Sequence, residues 1–224
     1  MAAISLSSLP RDTRDTLFLL AVIAWVVAMQ VGHIPWWCTA LTAGVLAWRT
    51  TLALRGLPLP GWIWRVGLLA LTLGATWATH RTLLGRDAGV TLIVVLLALK
   101  TLELRARRDA FVVFFLAFFT LLTHFFYSQS LLTAAGILIA LLGLLTALVN
   151  AHMPVGRPPL AQAARIAAGM AALGAPIMLV LFLLFPRMAP LWGMPGQDET
   201  GRSGLSSSMR VGQFADLVLD ESIA

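Results

Sequence analysis

The sequence predicts an all-α fold, a polytopic transmembrane bundle of about seven helices with its N-terminus in the cytoplasm and its C-terminal tail outside. Three observations predict it. Of 224 residues, 59% are hydrophobic and 12% charged, and mean hydropathy is +0.87, whereas a soluble domain carries about 25% charged residues. So few ionisable side chains cannot form the shell of a soluble core. Apolar runs recur at close to the roughly 20 residues that a helix needs to cross a hydrocarbon layer. The basic residues gather on alternate connections between those runs.

The first run, Thr16–Val31, follows Arg11 and Arg14 and lacks the small-x-small cleavage site of a secretory signal, so it reads as a retained anchor. The second, Ile34–Leu54, and the third, Gly61–Thr79, carry Arg49 and Arg65 near their inner ends. Both arginines are expected to snorkel to the headgroups. The fourth spans Asp87–Leu104, the fifth Ala110–Tyr127, the sixth Ser130–Asn150 and the seventh Ile166–Pro186. The short connections require neighbouring helices to run antiparallel. Asp109 is placed to N-cap the fifth helix, and Pro154, Pro158 and Pro159 interrupt helix between the sixth and seventh. Three segments result: a cytoplasmic N-terminus at 1–15, a transmembrane helical domain at 16–186 and an extracytoplasmic tail at 187–224.

Orientation follows from Lys and Arg. With the N-terminus inside, the inner side holds Arg11, Arg14, Arg49, Arg55, Arg65, Lys100, Arg105, Arg107, Arg108, Arg157 and Arg165. The outer side holds Arg81, Arg86, Arg187, Arg202 and Arg210, so the balance is eleven against five. Removing the second and third helices together leaves both termini on the same sides. Trp36, Trp37 and Trp192 are expected at the outer interface, and Trp48, Trp62 and Trp64 at the inner one. The net charge of +6 is dispersed in small clusters, which suits membrane topology and not a phosphate-binding stripe, and no nucleic-acid partner is expected.

Close helix packing in lipid uses small residues. Ala70, Gly74 and Ala78 form such a stripe on the third helix, Gly136 and Ala140 on the sixth, and Ala168 and Ala172 on the seventh, where Pro176 is expected to introduce a kink.

Chemistry-bearing residues are few. Lys100 and Glu103 lie near the inner end of the fourth helix at i, i+3, and Glu103 reaches toward Arg107 at i+4. The cluster reads as an interfacial ion-pair set fixing helix depth, or alternatively as part of a proton or ion path. His124 lies near the outer end of the fifth helix and is expected to be hydrogen-bonded or solvated. No histidine pair shows metal-ligand spacing, and one cysteine, Cys38, allows neither an intramolecular disulfide nor a multi-cysteine zinc site. Cys38 reads as a small buried apolar residue. The run Arg202–Met209 reads as a linker. No catalytic residue, cofactor motif or metal site is expected within the chain.

Three ordered segments carry a family resemblance: LLALKTLELRARRDA at Leu96–Ala110, FYSQSL at Phe126–Leu131 and LFPRMAPLWGMP at Leu184–Pro195. Together they resemble the N-terminal membrane region of TgpA-type bacterial transglutaminase-like proteins, the protein-glutamine gamma-glutamyltransferases. The resemblance implies a multi-pass inner-membrane anchor for a periplasmic domain of papain-like fold with a Cys-His-Asp triad. It further implies that relatives continue past Ala224 into that domain, the anchor's partner within its own polypeptide besides the lipid bilayer. Cys38 does not match the triad position.

Three functions are weighed on these grounds. The anchor reading rests on the ordered motifs and the exported tail. A small transporter or lipid-handling protein would need Lys100, Glu103 and His124 to share a polar cavity. An intramembrane serine protease would need a serine at the depth of His124, where Thr120 and Thr123 stand instead.

Overall fold

In the computed structural model, residues 10–82, 85–104, 107–128, 130–153 and 159–184 are described, without the side chain of Arg107. Seven helices and no strand occur among them: α1 Arg11–Gln30, α2 Trp36–Arg55, α3 Trp62–His80, α4 Arg86–Thr101, α5 Arg107–His124, α6 Leu131–His152 and α7 Leu160–Leu184. The chain divides into two compact units, 1–179 and 180–224. Of the second, only 180–184, the last turn of α7, is described. The final family segment past Leu184, Trp192 and the tail 187–224 lie outside the described residues, as do Arg105 and Arg157.

Helices α1 to α6 alternate in direction. Arg11, at the start of α1, donates to the carbonyls of Asn150 (3.4 Å) and Met153 (3.3 Å), at the end of α6. Gln30, at the end of α1, meets Thr120 and Thr123 at the end of α5. Arg49, late in α2, bonds Thr101 at the end of α4. Helices α1, α4 and α5 lie at the centre, with α2 on α1 and α4, α3 on α4, and α6 on α1 and α5. The core between them is aliphatic, with Ile23, Val26, Val94, Leu97, Val113, Ala117 and Leu144 almost wholly buried.

The ends of the helices differ from expectation for local reasons. Ser130 is the N-cap of α6, its side chain accepting from the Thr133 N–H at 3.1 Å. Gly56 ends α2 with a φ of 62°, a left-handed cap that glycine adopts without a Cβ clash. Asp109 does not N-cap α5, because that helix starts two residues earlier and places Asp109 in its first turn. Helix α7 starts at Leu160, six residues before the expected start, since Pro159 ends the interruption and is compatible with a helix beginning after it. Pro176 lies within the continuous span of α7.

Two of the three expected packing stripes face outward. Ala70, Gly74 and Ala78 are exposed, and α3 packs instead through Thr72 and Thr76, flanked by Leu68 and Leu69. The threonine hydroxyls donate to carbonyls of their own helix at 2.8 Å, which satisfies them and leaves a small packing surface. On α7 the buried positions are Ala163 and Ala167, with Ala168 and Ala172 exposed. The α6 stripe does pack. A Cβ on Gly136 would lie 3.0 Å from Met29 Cε, and Ala140 is buried. Gly143 extends the same face toward Val22.

Among the described residues two helices, α6 and α7, are both long and apolar enough to cross a membrane. Helix α4 has 16 residues, about 24 Å, and α5 opens with Arg107, Arg108 and Asp109.

Candidate functional site

Polar groups collect at the two ends of the α1–α6 bundle. At one end stand the starts of α1, α3 and α5 and the finishes of α2, α4 and α6. A helix finish exposes carbonyls without intrahelical partners and carries partial negative charge, so cations settle there. Arg11 serves α6 in this way, and Arg49 serves α4, its Nε donating to the Thr101 carbonyl at 3.0 Å. Arg49 is therefore buried against α4 and does not snorkel outward. Arg65 does not run free either, its Nη1 lying 3.0 Å from Glu103 Oε1.

The sequence-predicted pair is present: Lys100 Nζ contacts Glu103 Oε2. Glu103 thus bridges Lys100 and Arg65, tying the turn after α4 to the start of α3. Since α4 ends at Thr101 and α5 begins at Arg107, no continuous helix carries Glu103 to Arg107, whose side chain lies outside the described residues. Beside this group, a cavity of about 420 Å³ is lined by Arg11, Asp12, Asp15, Arg49 and Asn150.

At the opposite end the buried polar groups are uncharged side chains, with the Arg86–Asp87 ion pair exposed at its edge. Gln30 is buried and donates from Nε2 to the Thr120 carbonyl and to Thr123 Oγ1, both at 3.1 Å. Its Oε1 lies 3.3 Å from His124 Nδ1. His124 is buried and hydrogen-bonded, and its ring stands edge-on to His33, with centroids 5.5 Å apart. His33 also lies against Tyr127 at 4.5 Å. The Tyr127 hydroxyl donates to Asp87 Oδ1 at 2.8 Å, joining the turn after α5 to the start of α4. The Arg86 guanidinium lies 5.1 Å from the Tyr127 ring centre.

The structure therefore brings Lys100 and Glu103 together and puts His124 at the other end. The cavity at the charged end does not include His124, and the one at the His124 end includes neither Lys100 nor Glu103. Among the described residues no three His, Cys, Asp or Glu side chains are grouped to hold a metal. Cys38 is fully buried, its Sγ 4.0 Å from the Thr91 carbonyl. The residues missed by sequence reasoning are Gln30, Arg11 and Asn150. A glutamine ending an apolar run was the available signal for the first, because such a group needs partners when buried.

The described residues form an all-helical bundle with polar groups sorted to its ends. Residues 18–224 match the TgpA N-terminal domain, and the chain belongs to that family. It is 32% identical over 201 residues to a protein-glutamine gamma-glutamyltransferase of Pseudomonas aeruginosa, a match covering 89% of this chain and 30% of that protein. The chain thus spans less than a third of that relative's length. No solved structure matches it.

Proposed function

We propose that this chain is the membrane anchor region of a TgpA-type transglutaminase-like protein, multi-pass in a bacterial inner membrane and presenting an extracytoplasmic catalytic domain. In this reading residues 1–15 are cytoplasmic, 16–186 embedded and 187–224 the outward tail leading to that domain.

The observation that carries it is the apolar exterior between the two polar ends. Ile63, Trp64, Val66 and Leu71 on α3, Phe115 and Phe119 on α5, Leu138 and Ile139 on α6 and Leu173 on α7 are all exposed. Soluble monomers rarely present contiguous apolar patches beyond a few hundred Å², and hydrocarbon accepts such a surface. The gathering of Arg11, Arg49, Arg55, Arg65 and Lys100 at one end supports a cytoplasmic position for that end. The greater length and the name of the Pseudomonas relative support a transglutaminase-like region elsewhere in the full protein.

Catalysis by these residues alone is not expected, since Cys38 is the one cysteine of the chain and is fully buried. The test of topology is alkaline phosphatase, active only outside the cytoplasm, fused after Thr82 and after Ala224, with a control after Gly56. The first two fusions are expected to be active and the control inactive. An inactive fusion after Ala224 would refute the orientation, and thiol-dependent acyl transfer by purified residues 1–224 would refute the anchor role. The transporter reading loses its motivation, because Lys100 and Glu103 occupy the end opposite His124.

A further inference from the structure

The His124 end holds a cavity of about 610 Å³ between α1 and α6, lined on its apolar side by Trp25, Met29, Leu132 and Ile139 and on its polar side by His33, His124, Ser128 and Thr133. The exposure of Trp25, Leu132 and Ile139 makes it a groove on the bundle surface.

The hydrogen bonds around Gln30 fix the chemistry of that groove. A backbone carbonyl only accepts, so the Gln30 atom 3.1 Å from the Thr120 oxygen is the amide nitrogen. The other Gln30 atom, facing His124 Nδ1, is then the amide oxygen, which also only accepts. His124 must therefore carry its proton on Nδ1. In the neutral ring Nε2 keeps its lone pair, and no protein group bonds it among the described residues. His124 itself lines the groove, so that lone pair is at hand for a molecule seated there.

The hydroxyls add a donor. Ser128, Ser130 and Thr133 bring three hydroxyl protons, and their mutual bonds, Ser128 to Thr133 and Ser130 to Thr133, both 2.9 Å, use two. The third is left for another acceptor. No carboxylate lines the groove, so an anion is tolerated there and an ammonium group finds no counter-charge.

We infer that this groove holds one phosphatidylglycerol molecule, its acyl chain along Trp25, Met29 and Ile139, a glycerol hydroxyl donating to His124 Nε2 and its phosphate accepting from the hydroxyl cluster. The inference rests on the membrane reading above. Gln30 is then a positioning residue, which sets the tautomer that accepts the lipid hydroxyl.

The full chain, reconstituted in nanodiscs of equal parts phosphatidylglycerol, phosphatidylethanolamine and phosphatidylcholine, is released into mild detergent and its retained lipid measured by native mass spectrometry. One phosphatidylglycerol per chain is expected, enriched over phosphatidylcholine, which has no headgroup donor, and over phosphatidylethanolamine. His124→Phe is expected to lower that retention about fivefold, the scale of one lost hydrogen bond. Ala135→Phe, which fills the groove from α6 and leaves every residue of the polar cluster in place, is expected to abolish it, and it carries the test if His124→Phe fails to fold. Equal retention of the three lipids, or retention unchanged in a folded variant, overturns the lipid site while leaving the anchor reading intact. Failure of the chain to enter nanodiscs at all overturns both.

Discussion

Helices α6 and α3 carry small-residue stripes of similar composition and spacing, yet the first is pressed against a neighbour and the second faces out. A Cβ at Gly143 would lie 2.9 Å from Val22 Cγ2, whereas a Cβ at Gly74 would meet no neighbouring group within 4 Å. Helix α1 presents Val22 and Met29 to α6, and only a surface of Gly136, Ala140 and Gly143 lets the two backbones approach around them. Helix α3 meets α4 through Thr72 and Thr76 instead. Small residues permit close approach; whether it happens depends on what the opposing helix offers.

The largest effect that would sharpen this contrast is at Gly143. Gly143→Leu is expected to cost about 3 kcal/mol through overpacking against Val22, read as earlier loss of helical circular dichroism when sodium dodecyl sulfate is titrated into mild-detergent micelles. The same contrast between enclosed and open contacts distinguishes the bundle's two ends. Gln30→Leu, at the His124 end, removes the partner of the buried His124 Nδ1 and is expected to cost about 2 kcal/mol in the same titration. Glu103→Gln, at the charged end, weakens ion pairs that are about one-third exposed and is expected to cost less than about 1 kcal/mol. That loss should shrink further at high salt. Gly74→Leu is expected to stay within about 0.5 kcal/mol of the parent. A Gly74→Leu loss as large as that of Gly143→Leu would break the comparison and show that the α3 stripe is an interface.

The helices were legible because an apolar run of this length has few other uses, and each of the seven expected runs overlaps an observed helix. Their alternation also followed from connections too short to return a chain across the bundle. Asp109 shows where legibility fails, since a residue good at capping is equally good in a first turn, where it meets the same helix dipole. Arg49 shows it again. An arginine near a helix end can reach headgroups or a neighbour's carbonyls, and the proximity of Thr101, fifty-two residues away, decides between them. The Lys100–Glu103 pair was readable because its partners are three residues apart. Its link to Arg65 was not, because that is a contact between helices.

By itself the sequence determined the all-helical class, the family, the order and alternation of the helices and the segregation of basic side chains. These depend on local hydrophobicity and on charges spaced along one chain. The tertiary structure decided which face of each helix is enclosed, that Arg49 and Arg11 serve other helices' carbonyls, and that Gln30 sets the proton on His124. Those features arise where residues as many as 142 positions apart meet, and a buried polar group takes its role from the partner it finds there.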